Sequence, residues 1–170
     1  MKTAFGRKVT ASSLAFVALA AAAALASGCA AVPPGPTPPA NKQMSSAFQK
    51  VNGISVTLRS QPAVATPGSS FALTLVVRNL SGKSVTYDLP TGQEYEFIAF
   101  AVGGDEVWRW SRGMFFTQAV EAVTLAPGDS KVYKVAWNTG STPEGLYSIQ
   151  GFFLGLPHVR PAVSIEIKKV

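Results

Sequence analysis

Alternation of apolar and polar residues with a period of two is the feature that most constrains how this chain can fold. In the clearest run, four apolar residues are separated by single residues: Phe71, Leu73, Leu75 and Val77. Successive side chains of a β-strand point to opposite faces of a sheet, so this pattern is typical of a strand with one buried face. The turn sequence Asn79-Leu80-Ser81-Gly82 follows it, and we predict that the strand ends there.

Shorter runs of the same kind recur from residue 53 onward, with Gly, Pro and Asn between them. They cover residues 54–59, 85–89, 93–102, 106–111, 120–125, 133–137, 146–154 and 163–167. Residues 61–69, with two prolines and a glycine, are expected to form a loop, and residues 41–52 are polar and irregular, with at most a helical turn near residues 47–50. About eight to ten short strands without a convincing helix predict an all-β fold, an antiparallel β-sandwich. A small closed barrel fits the same pattern.

The stretch from residue 92 to residue 118 is the most aromatic part of the chain, since it holds four of the ten Phe and two of the three Trp. Residues 93–102 and 106–111 are rich in aromatic and β-branched side chains, and Gly103-Gly104-Asp105 separates them. Two such runs on either side of a glycine turn predict a β-hairpin. Arg112-Gly113 then interrupts the pattern, and we expect the other strands to pack around this hairpin.

The N-terminal residues 1–28 have the parts of a secretory signal peptide: a basic start, an apolar run over residues 14–25 and small residues at the end. The sequence Leu25-Ala26-Ser27-Gly28-Cys29 resembles the lipobox of bacterial lipoproteins, in which the cysteine becomes the lipid-modified N-terminus. We therefore expect Cys29 to be lipidated, its acyl chains to anchor the protein to a bacterial membrane, and the domain to lie on the extracytoplasmic side of the cell envelope. The alternatives are a signal peptide without lipidation and a transmembrane helix over residues 9–26.

A proline-rich segment follows the cysteine. Residues 30–40 contain five prolines: Pro33, Pro34, Pro36, Pro38 and Pro39. Proline favours extended polyproline II geometry, so this segment is expected to be a semi-rigid spacer. The predicted organisation is a lipoprotein signal peptide over residues 1–28, a lipidated cysteine with its linker over residues 29–52, and a folded domain over residues 53–170. Cys29 is the only cysteine, so hydrophobic burial rather than disulfides must stabilise the domain.

Net charge gives no indication of a nucleic-acid partner. The formal charge is +6, and removal of residues 1–28 takes away three of the fifteen basic residues and none of the nine acidic ones, which leaves +3. The basic residues that are left form no dense cluster along the sequence. We therefore expect no nucleic-acid binding.

The residues needed for catalysis or metal binding are scarce. The domain has no Gly-x-Ser-x-Gly motif, no thiol and only one histidine, His158, in a loop between two prolines. A zinc site needs three or four nitrogen or sulfur ligands, which the chain does not supply. Glu94 and Glu96 are expected to share one strand face as ordinary solvent-exposed charges, although paired carboxylates can also act in acid–base catalysis. We predict a protein without enzymatic activity, metal or cofactor.

Trp108 and Trp110 are two residues apart, so on a strand their side chains share one face and Arg109 lies on the other. One interpretation is that the tryptophans belong to the core. The other is that Trp108, Arg109, Trp110 and Arg112 bind a partner protein, because Trp and Arg are enriched at binding hot spots. Arg109 is also expected to cover an aromatic ring by a cation–π contact, and Arg112 is otherwise a solvated turn residue.

A set of residues spread over most of the domain matches the pattern of a known family: Gly92-Gln93, Tyr95, Phe97, the run from Val107 to Ser111, Phe116, Gln118, Leu125, Pro127-Gly128 and Trp137. On these residues the chain resembles, over residues 53–155, the BsuPI family of intracellular proteinase inhibitor domains of bacteria. The resemblance implies an immunoglobulin-like β-sandwich and inhibition of a subtilisin-type serine protease. Since this chain is expected to be exported, a cytoplasmic protease is not its expected partner.

An inhibitor of this kind must insert one exposed loop into the protease active site. Three loops qualify by their turn residues: 111–114, in which Arg112 is the candidate anchor, 138–145 and 156–160. Two functions from different classes follow. The first is a membrane-tethered, non-enzymatic binding domain that inhibits a serine protease or binds another envelope protein. The second is a structural or assembly lipoprotein of the envelope that makes protein–protein contacts through an edge strand.

Overall fold

The computed structural model describes residues 44–169, and that part of the chain contains eleven β-strands and no helix. The strands are β1 (Ser45–Val51), β2 (Ile54–Gln61), β3 (Val64–Ala65), β4 (Ser70–Asn79), β5 (Val85–Leu89), β6 (Tyr95–Ala101), β7 (Glu106–Arg109), β8 (Glu121–Leu125), β9 (Ser130–Asn138), β10 (Gly145–Phe153) and β11 (Ala162–Ile167). No helix suited to crossing a membrane occurs within that range. Cys29, the predicted signal peptide and the proline-rich segment lie outside the described residues.

The strands form two main sheets and a two-stranded ribbon. The first sheet has the order β1-β2-β4-β9 and is antiparallel throughout. The second has the order β3-β11-β10-β6-β7 and is antiparallel except where the short β3 pairs with β11. β5 and β8 pair only with each other. Neither main sheet closes on itself, since β1, β9, β3 and β7 are edge strands.

The core lies between the facing sides of the two main sheets. Leu58 and Trp137 of the first sheet and Phe97 and Ile149 of the second are almost completely buried. The Trp137 ring stacks on Trp108 of the opposite sheet, with 5.6 Å between ring centroids. Alternate residues of each strand point into this layer, so the period-two pattern is satisfied by burial of one face. The prediction of an all-β, immunoglobulin-like antiparallel β-sandwich is confirmed, and the closed barrel is excluded by the unpaired edges.

Two local expectations were wrong. Residues 45–51, expected to be irregular, form β1, because the Asn52-Gly53 turn brings them against β2 with an antiparallel register from Ser45 opposite Ser60 to Val51 opposite Ile54. Both turn residues have positive φ, 47° and 81°, as a tight hairpin turn requires. Within the loop predicted over residues 61–69, Val64–Ala65 forms the short strand β3. In both places, pairing with a neighbouring strand decides the structure where the local sequence pattern is weak.

Asn79, at the end of β4, ties the two-stranded ribbon to the sandwich. It is completely buried, and its side-chain amide donates hydrogen bonds to the carbonyl oxygens of Leu125, at 2.9 Å, and Lys83, at 2.8 Å. Its side-chain oxygen accepts from the backbone N–H of Ser81 at 2.9 Å. One side chain therefore fixes the ends of both ribbon strands, and the ribbon leads directly into the segments before β6 and after β7.

Candidate functional site

The predicted aromatic hairpin is present as β6 and β7. The two strands are antiparallel, with Ile98 opposite Arg109 and Ala99 opposite Trp108, and a β-bulge lies at Ala99/Phe100. β7 is the outermost strand of its sheet. Trp110 makes one further backbone hydrogen bond, from its N–H to the Phe97 carbonyl oxygen at 2.9 Å. Beyond this residue the chain leaves the sheet and begins a long connection to β8.

A buried carboxylate lies under the end of this hairpin. Glu96 is 4% exposed, and its carboxylate accepts hydrogen bonds from the backbone N–H groups of Phe97, at 3.0 Å, and Ser111, at 3.3 Å. It also accepts from the Ser111 hydroxyl, from Gln93 Nε2 at 3.3 Å and from Arg109 Nη1 at 3.3 Å. Burial of a carboxylate is tolerated only with such partners. Glu96 therefore fixes residues on both sides of the point where the chain leaves β7.

A second carboxylate, Glu106, extends this network to the surface. Its oxygens lie 2.6 Å from Arg109 Nη2 and 2.7 Å from Arg112 Nη2. The hydrogen bond from Arg109, together with that from Arg112, lowers the pKa of the Glu106 carboxyl. The hydrogen bond to Glu106 in turn raises the pKa of the Arg109 guanidinium, which Glu96 also supports. Two arginines and two carboxylates thus join β6, β7 and the first residues of the following loop.

These contacts correct two predictions. The Arg109 guanidinium binds carboxylates instead of covering an aromatic ring, and Arg160 stands over the Phe152 ring instead, 4.0 Å from its centroid. Glu94 and Glu96 are not a pair on one solvent-exposed face. Glu96 is buried, and Glu94 belongs to a separate cluster with Lys131 and Tyr133.

The Trp108 and Trp110 rings lie on the side of β7 away from this ionic network, as their spacing predicts. Trp108 stacks on Trp137. Trp110 stacks on Tyr95 with 4.2 Å between centroids and tilts against Phe116 at 5.9 Å. Both rings are half-buried against the core, and the fully buried tryptophan is Trp137. The structure thus brings Trp110 beside the loop that follows β7, with one part of the ring accessible.

An open groove of about 540 Å³ begins at this ring. It is lined by Gly92, Glu94, Tyr95, Trp110, Phe116, Ser130, Lys131, Val132 and Tyr133. Glu94 accepts hydrogen bonds from Lys131 Nζ at 2.7 Å and from Tyr133 Oη at 2.5 Å. Burial raises the pKa of the Tyr133 hydroxyl, and its hydrogen bond to Glu94 raises it further. Burial also acts to raise the pKa of Glu94, but the hydrogen bonds from Lys131 and Tyr133 outweigh it and lower that pKa.

The 111–120 loop, which follows β7, presents the most exposed aromatic side chain of the described residues. Phe115 is 99% exposed, and Met114 and Val120 are 45% and 73% exposed. The loop is fixed on both sides of Phe115. Before it, the Met114 N–H donates to the Ser111 carbonyl oxygen at 3.0 Å, and after it the Thr117 carbonyl oxygen accepts from the Gly92 N–H at 3.0 Å. Phe115 was missed in the sequence, where an aromatic residue in a hydrophobic run is expected to be buried.

The other two candidate loops pack more closely on the domain. In the 138–145 loop, the Tyr147 hydroxyl donates to the Pro143 carbonyl oxygen at 2.7 Å. In the 156–160 loop, Val159 is 5% exposed and belongs to the core. Neither presents a large apolar side chain as the 111–120 loop does. The four predicted binding residues therefore lie just before the 111–120 loop or at its start: Trp108, Arg109, Trp110 and Arg112. Phe115, which was not predicted, lies in the middle of that loop.

Within residues 44–169, no group of three His, Cys, Asp or Glu side chains is arranged to hold a metal ion. His158 is exposed in its loop. The chemistry at the site is that of ion pairs, hydrogen bonds and aromatic contacts within the domain.

Partial matches to solved structures come from several kinds of protein. The chain matches a cycloisomaltooligosaccharide glucanotransferase from Paenibacillus sp. with a TM-score of 0.46 and 16% identity, over 66% of this chain and 14% of that enzyme. It matches a β-glucosidase from Listeria innocua with a TM-score of 0.42 and 12% identity, over 75% of this chain and 16% of that enzyme. A CARDB domain from Pyrococcus furiosus matches with a TM-score of 0.39 and 16% identity, over 75% of this chain and 92% of that domain. The chain thus spans less than a fifth of the length of either enzyme.

The search of curated protein sequences gives no match. Among family models, the one described as BsuPI, intracellular proteinase inhibitor, matches residues 58–157, which run from β2 to the loop after β10 and include the hairpin, the buried Glu96 and the 111–120 loop. This match covers more than half of the chain, and the chain therefore belongs to the BsuPI family of proteinase inhibitor domains.

Proposed function

We propose that this protein is a non-enzymatic inhibitor of a serine protease and that it acts through the 111–120 loop, with Phe115 as the residue that enters the specificity pocket of the protease. Membership of the BsuPI family supports the inhibitor function. The observation that carries the assignment to this loop is the 99% exposure of Phe115 between two fixed segments. Met114 and Val120 of the same loop are also exposed, and exposed apolar side chains that occur together are typical of an interaction site.

Preorganisation of the loop supports this function. An inhibitor gains affinity when its binding segment already has the bound conformation, because less entropy is then lost on association. The loop is held before Phe115 by Glu96 through Ser111 and by Glu106 through Arg112. It is held after Phe115 by the Phe116 ring against Trp110 and by the Gly92–Thr117 hydrogen bond. These contacts take the place of the disulfides that the chain does not have.

The side chain of Phe115 indicates the class of protease. A large aromatic residue fits the hydrophobic slot that chymotrypsin-type enzymes use for specificity, and it does not complement the buried aspartate of a trypsin-type pocket. We therefore propose a serine protease with an apolar specificity pocket, of the chymotrypsin or subtilisin type. The Trp110 ring packs against Phe116, the neighbour of Phe115 in the chain, and aromatic residues are typical of binding hot spots.

The N-terminal sequence supports a location for this activity. Lipidation at Cys29 would tether the domain to a bacterial membrane, and residues 30–40 would connect it to the anchor as a proline-rich spacer. We propose that the protease is met on the extracytoplasmic side of the cell envelope. Replacement of Cys29 by serine tests this part alone, since it is expected to release the protein from membranes without changing inhibition.

Titration of a panel of proteases with the full chain tests the inhibitor function. We expect stoichiometric inhibition of chymotrypsin or subtilisin and none of trypsin. Phe115→Ala is expected to weaken inhibition by roughly 100-fold or more, as for a central hot-spot residue. Phe115→Arg should instead shift inhibition toward trypsin. The matched control is Phe48→Ala, which removes an exposed phenylalanine, 62% exposed, from the other sheet.

Two results contradict the proposal at different levels. If the folded wild-type chain inhibits none of the enzymes with an apolar specificity pocket, the proposed class of target is wrong. If inhibition is present and Phe115→Ala retains it, the inhibitor function stands and the assignment to the 111–120 loop is wrong.

A further inference from the structure

The outer face of the sheet β1-β2-β4-β9 has a charge distribution that protease inhibition does not use. None of its four strands contains an aspartate or a glutamate. The face instead carries four basic residues, one from each strand: Lys50, Arg59, Arg78 and Lys134. All four are exposed. The acidic residues that the structure describes lie outside these strands, and the charged residues that the strands place on this face are all basic.

The strand register arranges this face in rows. Phe48 lies opposite Thr57, Thr57 opposite Val76, and Val76 opposite Val132, so these four residues form a mostly apolar row across the whole sheet. The two ends of the row are also its most exposed members, since Phe48 is 62% and Val132 is 52% exposed. The row is therefore a partly exposed apolar stripe across this face, and an apolar surface rimmed by polar residues is typical of a membrane or protein interaction site.

Basic residues flank the apolar row on both sides. Lys50 pairs with Ser55, which pairs with Arg78, in the row on one side. Arg59 pairs with Thr74, which pairs with Lys134, in the row on the other side. Adjacent rows are two residues apart along each strand, which is about 7 Å. The face is therefore an apolar row between two basic rows.

None of these four basic side chains forms an ion pair with a residue that the structure describes. By contrast, Lys131, Lys168 and Lys169 each pair with a glutamate. The charge of this face is thus available to a partner outside the domain. It was missed in the sequence because its four members are separated along the chain and meet only through strand pairing.

We propose that the outer face of this sheet docks on a membrane surface of anionic phospholipid. Basic side chains near such a surface are attracted to the headgroups, and apolar side chains between them insert at the level where headgroups meet acyl chains. A nucleic acid or an acidic protein would match the basic rows and leave Phe48 and Val132 exposed or force them against a polar surface. The alternation of basic and apolar rows on one face therefore favours a lipid surface over either polymer.

Two further features fit this partner. The described chain enters the fold at β1, which is the edge strand of this sheet and contributes Phe48 and Lys50 to the face. A membrane attachment at the N-terminal segment would bring this edge to the bilayer first. The 111–120 loop follows β7 of the other sheet and contributes no residue to these rows, although its Phe116 lines the same groove as Val132. The docking requires neither the loop nor inhibition of a protease.

Chemical footprinting of the full chain tests the proposal. The protein is incorporated into vesicles of phosphatidylcholine alone or with phosphatidylglycerol, and the rate of lysine acylation is measured residue by residue by mass spectrometry. We expect Lys50 and Lys134 to react several-fold more slowly in the anionic vesicles than in the neutral ones. Lys168 and Lys169, which lie at the end of β11 and pair with glutamates, serve as internal references whose rates are expected to be the same in both.

Two double variants distinguish docking through this face from a general effect of the protein's net charge. R59Q/R78Q keeps both reporter lysines, Lys50 and Lys134. Each basic residue at an anionic surface contributes about a fivefold factor to binding. The variant should therefore lower the ratio of docked to undocked protein by roughly 25-fold and abolish the protection of the two lysines from acylation. K168Q/K169Q removes the same charge from outside the face and should leave the protection of Lys50 and Lys134 unchanged. Equal rates at Lys50 and Lys134 in the two vesicle types would overturn the proposal. Protection that depends on protein density and appears also in neutral vesicles would overturn it in favour of self-association.

Discussion

Replacement of Glu96 by alanine tests the central structural claim about the site, that one buried carboxylate fixes the base of the 111–120 loop. The change removes the acceptor for two groups of Ser111 and for Arg109, Gln93 and the Phe97 backbone N–H. The methyl group of alanine cannot replace any of these hydrogen bonds. We therefore expect both a loss of global stability and a local loosening of the loop.

The size of the loss in unfolding free energy follows from how buried the hydrogen-bond donors to Glu96 are. Removing one member of a buried ion pair typically costs about 3–5 kcal/mol, because the other member is left uncompensated. Here the Arg109 side chain is 36% exposed and keeps its contact with Glu106, so the cost lies at the low end, about 3 kcal/mol. Glu96→Gln keeps an oxygen acceptor for Ser111 or Phe97 and should cost about half as much.

Urea denaturation of the full chain, followed by far-ultraviolet circular dichroism, measures this free energy. For a domain of this size a loss of about 3 kcal/mol corresponds to a fall in melting temperature of roughly 10 °C. The matched control is Glu166→Ala, which breaks the exposed Glu166–Lys168 pair. Exposed pairs contribute about 0–1 kcal/mol, so the control should be close to the wild type. Limited proteolysis should in addition show faster cleavage within residues 111–120 in Glu96→Ala alone.

A Glu96→Ala variant that is no less stable than Glu166→Ala would show that the Glu96 carboxylate does not stabilise the domain. If stability falls as expected but the 111–120 loop is cleaved no faster than in the wild type, Glu96 is a core residue only and does not hold the loop.

The remaining predictions concern the core and the groove. Trp137→Ala deletes a fully buried ring between Phe71 and Trp108 and should lower the free energy of unfolding, measured with urea, by about 4 kcal/mol. Trp110→Ala should lower it by about half as much, because the Trp110 ring is half-buried. Equal losses would contradict the assignment of Trp137 as the core tryptophan. The lowered pKa of Glu94 means that its stabilising contribution is present above its unfolded pKa, near 4.5, and is lost as the pH falls through the lower folded value. Lys131→Met should therefore reduce the difference in unfolding free energy between about pH 6 and about pH 3, and an unchanged difference would show that the Glu94–Lys131 pair does not contribute.

The strands could be predicted wherever burial of one face is visible in the local sequence. Residues 85–89 were predicted as a strand, and β5 has the same bounds. β1 could not be found in this way, because its residues Ser45–Val51 have no clear alternation and become a strand only through pairing with β2. Whether an edge segment forms a strand depends more on pairing with an adjacent strand than on its own sequence pattern, and the sequence does not show which strand will be adjacent.

The candidate site was predicted less completely than the fold, and for a related reason. The spacing of Trp108 and Trp110 sufficed to place their side chains on one side of the strand. The burial of Glu96 depends on Arg109 and Ser111, which are 13 and 15 residues away and meet it only in the register of the hairpin. Phe115 was missed because hydrophobicity predicts burial on average, whereas this side chain is 99% exposed.

Tyr95 stacks on Trp110 on one side and on Tyr133 on the other, with 4.2 Å and 4.4 Å between ring centroids, and this stack has a spectroscopic consequence. Aromatic rings held at fixed angles in an asymmetric environment give signals in the near-ultraviolet circular dichroism, and these signals vanish when the packing becomes mobile. The Trp110 ring contacts both Tyr95 and Phe116, so it links a rigid chromophore cluster to the residue next to Phe115. Binding of a partner protein to the 111–120 loop is therefore expected to change the near-ultraviolet circular dichroism signal of this cluster. The domain thus contains its own optical reporter, and its interactions can be followed without a label.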